Sequence, residues 1–407
     1  MTPLLRRQLV VVPLSVLLGF LLASVGFRNG LDETVFGNPY DTGGGYNALG
    51  RIRPLNDTVR PVAIDGEHRQ KEVVPDGLKI KDLAMAVDNR TLGFGKLFVV
   101  NLPQNTDRRD TMVLASSFSR VNVDWVNGLP DDQAINETPL RRQDQEKEST
   151  QLRENWRAHV NAVRTTVELD LFSAIVLEDN LDWDIRLREQ MHAFALSTRT
   201  LTQPLALTNS TKPIYADASF PDPSLSNKVT EIPFAGHPAT IQPSNSAYGD
   251  DWDVLWLGHC GMQMPTQRTP DLSKGRVVLT PDPFVAVKDT ISIDGSQNDS
   301  YPNQTRVFHH TYAPECSLAY AVSQRGARRI LYEALERNAT EGFDVMLREM
   351  CDAAPDSAAK LVCVTTQPSL FSRWRDGGSQ HVRWSVRMNM GKYVRGNERE
   401  WVDQYPE

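Results

Sequence analysis

The sequence is poor in cysteine and has no excess of basic charge. Four cysteines in 407 residues are too few for a disulfide-stapled scaffold. None stand in the paired C-x-x-C spacing of a zinc site. Lysine and arginine number 44 against 51 acidic residues, a net charge of −7. A general nucleic-acid binder would show a basic excess, so the balance argues against that class and no nucleic-acid polymer is expected as a partner. No G-x-S-x-G elbow or other triad signature occurs, which ranks a nucleophilic hydrolase low. No repeat with a period of roughly 20–50 residues is present, which removes solenoids. Long uncharged apolar runs are also missing, with one exception at the amino terminus. What is there is an ordinary globular balance, 40% hydrophobic and 23% charged, enough for one large domain or two ordinary ones.

The exception is residues 9–27, LVVVPLSVLLGFLLASVGF, uncharged and bounded by Arg6-Arg7 and Arg28. As a helix it would be about 29 Å long, close to the hydrocarbon thickness of a bilayer. A cleaved secretory signal is the alternative. Its apolar core is usually shorter, and only a weak cleavage site, Ser24-Val25-Gly26, follows. An uncleaved signal-anchor is the favoured reading. Positive charge before the segment then puts residues 1–8 in the cytosol and everything after residue 28 in a lumen, a single-pass type II arrangement. Two features agree. Asn-x-Ser/Thr sequons stand at Asn56, Asn89, Asn136, Asn209, Asn298, Asn303 and Asn338, more than chance would give. All four cysteines, Cys260, Cys316, Cys351 and Cys363, lie in the lumenal part, where disulfides persist. Three pairings are open, with four free thiols as the alternative. Cys351–Cys363 with Cys260–Cys316 is the expected pairing, because short loops close most easily.

Residues 28–94, rich in Gly, Pro, Asp and Asn, read as a stem. The texture changes at Lys96. The apolar run 96–102 suits a buried parallel strand, as do 173–177, 252–258 and 317–322. Trp156, Val160, Val163 and Val167 fall at helical spacing, which predicts a helix over 152–168. A second helix is expected over 182–196, and a third from about Arg325, capped by Ser323. Residues 203–247 and 262–305 read as loop-rich insertions. The alternation of strand and helix predicts an α/β domain over 95–395, with a mainly parallel sheet flanked by helices.

In such sheets ligands bind beyond the carboxyl ends of strands. Asn101 ends the first strand, and Arg108 and Arg109 follow at the start of an expected helix, where they could hold a phosphate. A solvated helix start is the plainer alternative. Glu178-Asp179-Asn180 ends the second main strand, with Asp182 and Asp184 just behind. Clustered carboxylates repel unless a cation neutralises them, and oxygen ligands suit Mg²⁺ or Mn²⁺. An ordinary acidic helix start is the alternative. Asp253 lies inside an aromatic strand, and Asp344 opens a helix. Either could act as a base or simply be structural. His159, a lone histidine off the apolar stripe of its helix, reads as structural.

Taken in order, these pieces resemble glycosyltransferase family 25, which includes bacterial lipooligosaccharide (LPS) and animal collagen galactosyltransferases. Fungal membrane-anchored members are similar in layout. The resemblance rests on Phe98-Val99-Val100-Asn101-Leu102 with Asp107-Arg108-Arg109, on Trp156-Arg157-Ala158-His159, and on Leu177-Glu178-Asp179-Asn180-Leu181-Asp182-Trp183. It continues in Trp252-Asp253-Val254-Leu255-Trp256-Leu257-Gly258, in Cys316 with Ala319-Tyr320-Ala321-Val322-Ser323, and in Asp344. It implies a GT-A-like fold and transfer of a hexose, galactose for preference, from a UDP-sugar donor to a hydroxyl of a glycan or glycoprotein acceptor. The setting implied is the Golgi or ER membrane, with the enzyme held by its amino-terminal helix. Glu178, Asp179 and Asn180 would hold a divalent cation such as Mn²⁺ with the diphosphate. Asn101, Arg108 and Arg109 would hold the nucleotide, and Asp253 and Asp344 would serve the acceptor as orienting or base carboxylates. The usual family motif is Leu-Glu-Asp-Asp. Asn180 keeps a carbonyl oxygen but brings no negative charge, which weakens a cation site. That departure leaves room for an alternative, a non-catalytic relative that binds glycans or scaffolds a Golgi complex.

Overall fold

The computed structural model describes residue 83 and residues 85–405, except 103, 128–147, 207–209, 270, 288–299, 338–340, 355–359, 376 and 397–400. The expected cytosolic tail, anchor and most of the stem lie outside the described residues, as do the sequons at Asn56, Asn136, Asn209, Asn298 and Asn338. Among the described residues no helix is long and apolar enough to cross a membrane.

The chain begins its sheet with β1 (Lys96–Asn101), then α1 (Thr106–Phe118), β2 (Asp124–Asn127) and α2 (Glu148–Glu168). Next come β3 (Ser173–Glu178), β4 (Leu181–Trp183), α3 (Leu187–Thr202), β5 (Glu231–Pro233) and β6 (Val254–Gly258). The run β7 (Gly261–Gln263), β8 (Arg276–Leu279), β9 (Arg306–His310), β10 (Tyr312–Glu315) and β11 (Ala319–Ser323) leads into α4 (Gln324–Glu336) and α5 (Phe343–Cys351). The fold closes with β12 (Cys363–Gln367), β13 (Phe371–Arg375), β14 (Gly378–Ser379) and α6 (Val386–Val394).

Nine strands form one sheet in the order β2-β1-β3-β11-β6-β12-β9-β8-β5. Only β9 and β11 run against the others, each antiparallel to both its neighbours. The chain is therefore α/β with a mixed, mostly parallel sheet. Its strands alternate side chains between faces, and both faces are apolar. Leu97, Val99, Ile175 and Leu177 meet Met112 of α1 and Phe194 of α3 on one side. Phe98, Val100, Ala174 and Val176 meet Trp156 of α2, Ile330 of α4 and Phe343 of α5 on the other. Burial of each such side chain contributes about 1.5–3 kcal/mol, so helices on both faces hold the sheet.

Several boundaries differ from expectation. The helix expected over 182–196 starts later, at Leu187, because Leu181–Trp183 is a strand paired with β13. Asp182 is fully buried there and accepts from Ser379 Oγ at 2.7 Å, Ser385 Oγ at 2.6 Å and the Arg387 amide at 3.1 Å. Asp184 accepts from the amides of Arg186 at 2.8 Å and Trp384 at 3.1 Å. Both acids thus satisfy backbone and hydroxyl donors. The two expected insertions supply β5, β7 and β8, and β8 and β5 form one edge of the main sheet. The folded body also starts before residue 95. Leu92 and Phe94 are buried, and Phe94 stacks on Tyr248 with ring centroids 4.5 Å apart. It runs past 395, since the Val402 amide donates to Asn389 Oδ1 at 2.6 Å.

The cysteines pair as expected, Cys260 with Cys316 and Cys351 with Cys363. Ser323 caps α4 by accepting from the Gly326 amide at 3.0 Å. The sequon residues Asn89 and Asn303 are both exposed.

Candidate functional site

A cleft of about 360 Å³ opens beyond the carboxyl ends of β1 and β3. Parallel neighbours end side by side, which brings Asn101 of β1 next to Asp179 just past β3. Asn101 is buried, and its Nδ2 donates to Asp179 Oδ2 at 2.7 Å. From the first turn of α1, Arg108 donates Nη1 to Asp179 Oδ1 at 3.2 Å. Both carboxylate oxygens of Asp179 are thereby engaged. From the far side Arg387 of α6 donates to the backbone oxygens of Asp179 at 3.1 Å and Leu181 at 2.6 Å, fixing the turn after β3.

Glu178 also lines the cleft, with its side chain 18% exposed. Burial pushes its carboxyl up to about 7; Arg373 pulls it down, while the neighbouring charges of Asp179 and Asp344 push it further up. Arg373 Nη2 stands 3.9 Å from Glu178 Oε2. Beneath, Tyr320 of β11 shares a 3.1 Å hydrogen bond with His159 Nδ1. His159 is fully buried, stacked on Phe343, and burial lowers its ring to about 3, so it stays neutral. It faces the core between α2, β11 and α5 rather than lying off the buried stripe, and its part is structural.

Of the residues singled out by sequence, Asn101, Arg108, Glu178, Asp179 and Asn180 meet in this cleft. Asp344 is near enough to act on Glu178 through its charge. Arg109 is not in the cleft; its guanidinium lies 4.5 Å over the Trp125 ring. Asp253 is not there either. It precedes β6, which runs in the same direction as β3, so it stands at the opposite end of the sheet. It is fully buried and accepts from Arg325 Nε at 2.7 Å, Arg329 Nη1 at 2.9 Å and the Val362 amide at 2.9 Å. Its carboxylate anchors α4 to the sheet. Sequence reasoning missed Arg373 and Arg387. The alternation in Phe371-Ser372-Arg373 marks a strand, but only its pairing with β4 carries Arg373 to the cleft.

Among the described residues no three His, Cys, Asp or Glu side chains form a metal cluster. The cleft offers a mixed oxygen set instead. Asn101 Oδ1 and Asn180 Oδ1 are both buried acceptors without a protein partner, beside the carboxylates of Glu178 and Asp179. A buried acceptor without a donor is costly. Hard oxygen donors of this kind fit a divalent cation such as Mg²⁺ or Mn²⁺. Comparison with models of known protein families gives no match for this chain, and comparison with curated protein sequences gives none.

Proposed function

We propose that the protein transfers a hexose, galactose for preference, from a UDP-sugar to a hydroxyl of a glycan or glycoprotein acceptor. The observation that carries this reading is the cleft at the ends of β1 and β3, where two unpartnered amide oxygens and two carboxylates stand beside Arg108 and Arg373. The resemblance to glycosyltransferase family 25, and to its GT-A-like fold, adds the donor class. Two disulfides and two exposed sequons support a lumenal setting in the Golgi or ER, with the expected amino-terminal helix as tether.

Glu178, Asp179 and the side-chain oxygens of Asn101 and Asn180 would hold the divalent cation. When bound, it supplies positive charge at the diphosphate and so stabilises UDP as a leaving group. Arg108, 46% exposed, can turn its remaining N–H groups to a phosphate on the open side of the cleft as hydrogen-bond donors. In the transfer, the bond from the anomeric carbon to the UDP oxygen breaks. A bond from that carbon to the acceptor oxygen forms, and the acceptor proton passes to a carboxylate. Asp344, whose charge is felt at Glu178, would serve as that base for an acceptor that brings its hydroxyl within hydrogen-bond reach of it.

A second reading has an observation of its own. Asn101 and Arg108 already occupy Asp179, and Asn180 adds no charge, as a glycan-binding relative without turnover would allow. Calorimetry with UDP and Mn²⁺, followed by UDP release from UDP-galactose with and without acceptor saccharides, separates the two. The transferase reading expects UDP binding and turnover, with both lowered more than about tenfold in Asp179→Ala. Unchanged turnover in that variant sinks the site assignment, and a chain that neither binds nor releases UDP favours the glycan binder.

A further inference from the structure

A second cleft, of about 270 Å³, lies on the other side of Arg373. Arg373 lines both clefts, so the two are joined across one side chain. The second is at the small end of ligand sites, which run from about 300 to 1,000 Å³. It has room for a sugar-sized group.

Its chemistry differs from that of the first cleft. Among the described residues that line it none is acidic, whereas Arg373 and Arg375 both do so. Arg373 Nε is buried without a hydrogen-bond partner. Arg375 is exposed and makes no ion pair among the described residues. Arg373 Nη2 already faces Glu178 in the first cleft at 3.9 Å, so the exposed guanidinium of Arg375 is the group most open to an incoming anion, with Arg373 as its second partner.

The lining also carries a neutral acceptor. His259 Nε2 lies 3.1 Å from the Thr366 carbonyl oxygen. A carbonyl only accepts, so Nε2 holds the ring proton and Nδ1 is a bare acceptor. Nδ1 is buried and has no partner in the protein. Burial lowers the ring to about 4, so it is uncharged near neutrality. A hydroxyl is the natural donor to it. Gln367 and Ser369 add neutral polar groups, and Met262, Leu318 and Pro368 an apolar patch of the kind that receives a sugar face. The Cys260–Cys316 bridge stands in the same lining and ties β7 to β10, which keeps the cleft open in fixed form.

We propose that this second cleft binds a saccharide bearing a negatively charged group, its anion on Arg373 and Arg375 and one hydroxyl on His259. Its assignment as the acceptor side of the reaction rests on the transferase reading; the anion selectivity does not. The sugar's anion is a carboxylate, as in a uronate, or a phosphoryl ester. Both present the planar or forked oxygens that guanidinium groups pair with.

The test is calorimetry on the purified full-length chain with saturating UDP and Mn²⁺ present. The probes are methyl glucuronide, glucose 6-phosphate and neutral methyl glucoside. One or both charged sugars should bind about tenfold or more tighter than the neutral one, and the tighter of the two identifies the anion. Arg375→Gln, an exposed position that does not threaten the fold, should remove most of that preference, bringing the charged sugar's affinity toward that of the neutral one. The preference should also shrink as salt rises. Equal binding of charged and neutral sugars, no effect of Arg375→Gln, or charged-sugar binding seen only when UDP is left out would each overturn the proposal. UDP release is read in parallel. Its absence alongside anion-selective binding removes the acceptor role while the anion site stands, and turnover with neutral sugars preferred does the reverse.

Discussion

Burial works against the charge of Glu178, and pH exposes how much. Its carboxyl is raised from 4.5 to about 7 in the folded chain. The folded state therefore holds the proton more tightly than the unfolded state between those values, so stability falls as pH rises through that window. Below 4.5 both states are protonated and the penalty is absent; above 7 it is fully present. Glu178→Gln removes the charge at constant shape. It should stabilise the protein at pH 8 by up to about 3 kcal/mol and have little effect at pH 4. Urea unfolding at the two pH values measures this, and an equal gain at both would show that charge is not the cause. Mn²⁺ at pH 8 should narrow the difference, because a cation favours the ionised carboxylate. The same residue argues for function. A buried carboxylate with no strong ion pair is retained at a stability penalty, and such sites are more often working sites than scaffolding.

At the scale of elements, the join of α4 to β6 depends on close approach. A Cβ on Gly326 would sit 2.3 Å from the Asp253 carbonyl oxygen, and that oxygen already accepts from the Ser323 amide at 3.0 Å. Gly326→Ala must push the helix off the strand and should lower stability by about 1–3 kcal/mol. UDP binding by the folded fraction should be retained, since the cleft is at the other end of the sheet. A denaturant midpoint equal to wild type would show that the helix yields freely. This region also shows what the sequence revealed. β1, β3, β6 and β11 were legible because burial on both faces makes them unbroken apolar runs, and Ser323 marked the start of α4 by its cap. The short strands were not. Glu231–Pro233 buries only Ile232, too little pattern to tell from loop. Leu181–Trp183 continues an acidic segment and is fixed as a strand only by Phe371–Arg375, almost two hundred residues away. The same distance hid Arg373. Asp253 read equally as base or anchor, because its arginine partners lie a full strand further on, in α4. The heart of the cleft was legible for the opposite reason: Asn101 and Glu178-Asp179-Asn180 each stand at the end of a strand that announces itself.

At the scale of the whole molecule, the ends of the folded body bear on the cleft. Leu92 and Phe94 fill the core beside Tyr248, whose hydroxyl donates to the Leu92 carbonyl at 2.7 Å. Each side chain contributes about 1.5–3 kcal/mol, out of a typical total of about 5–15 kcal/mol. At the other end, Trp401 packs edge-on against Phe118 with ring centroids 5.5 Å apart, Arg383 pairs with Asp403 at 2.7 Å, and Gln404 Nε2 donates to the Val382 carbonyl at 2.7 Å. Asn389 of α6 exchanges hydrogen bonds with the Val402 backbone at 3.1 and 2.6 Å, so this segment braces α6, and α6 carries Arg387, which holds the backbone of Asp179 and Leu181. Residues 401–405 are thus connected to the cleft floor through one helix and one guanidinium. A fragment of residues 83–405 should melt in a single transition and bind UDP as the full chain does. A fragment ending at 395 keeps every residue that lines the cleft but loses the brace. It should show a lower Tm and a UDP affinity reduced several-fold, measured by calorimetry well below its melting temperature. Starting at residue 95 instead should lower Tm with little change in affinity, because the lost contacts lie in the core and not under Asp179. Equal affinities for the fragments ending at 395 and 405 would break the proposed link between the carboxyl-terminal brace and the cleft.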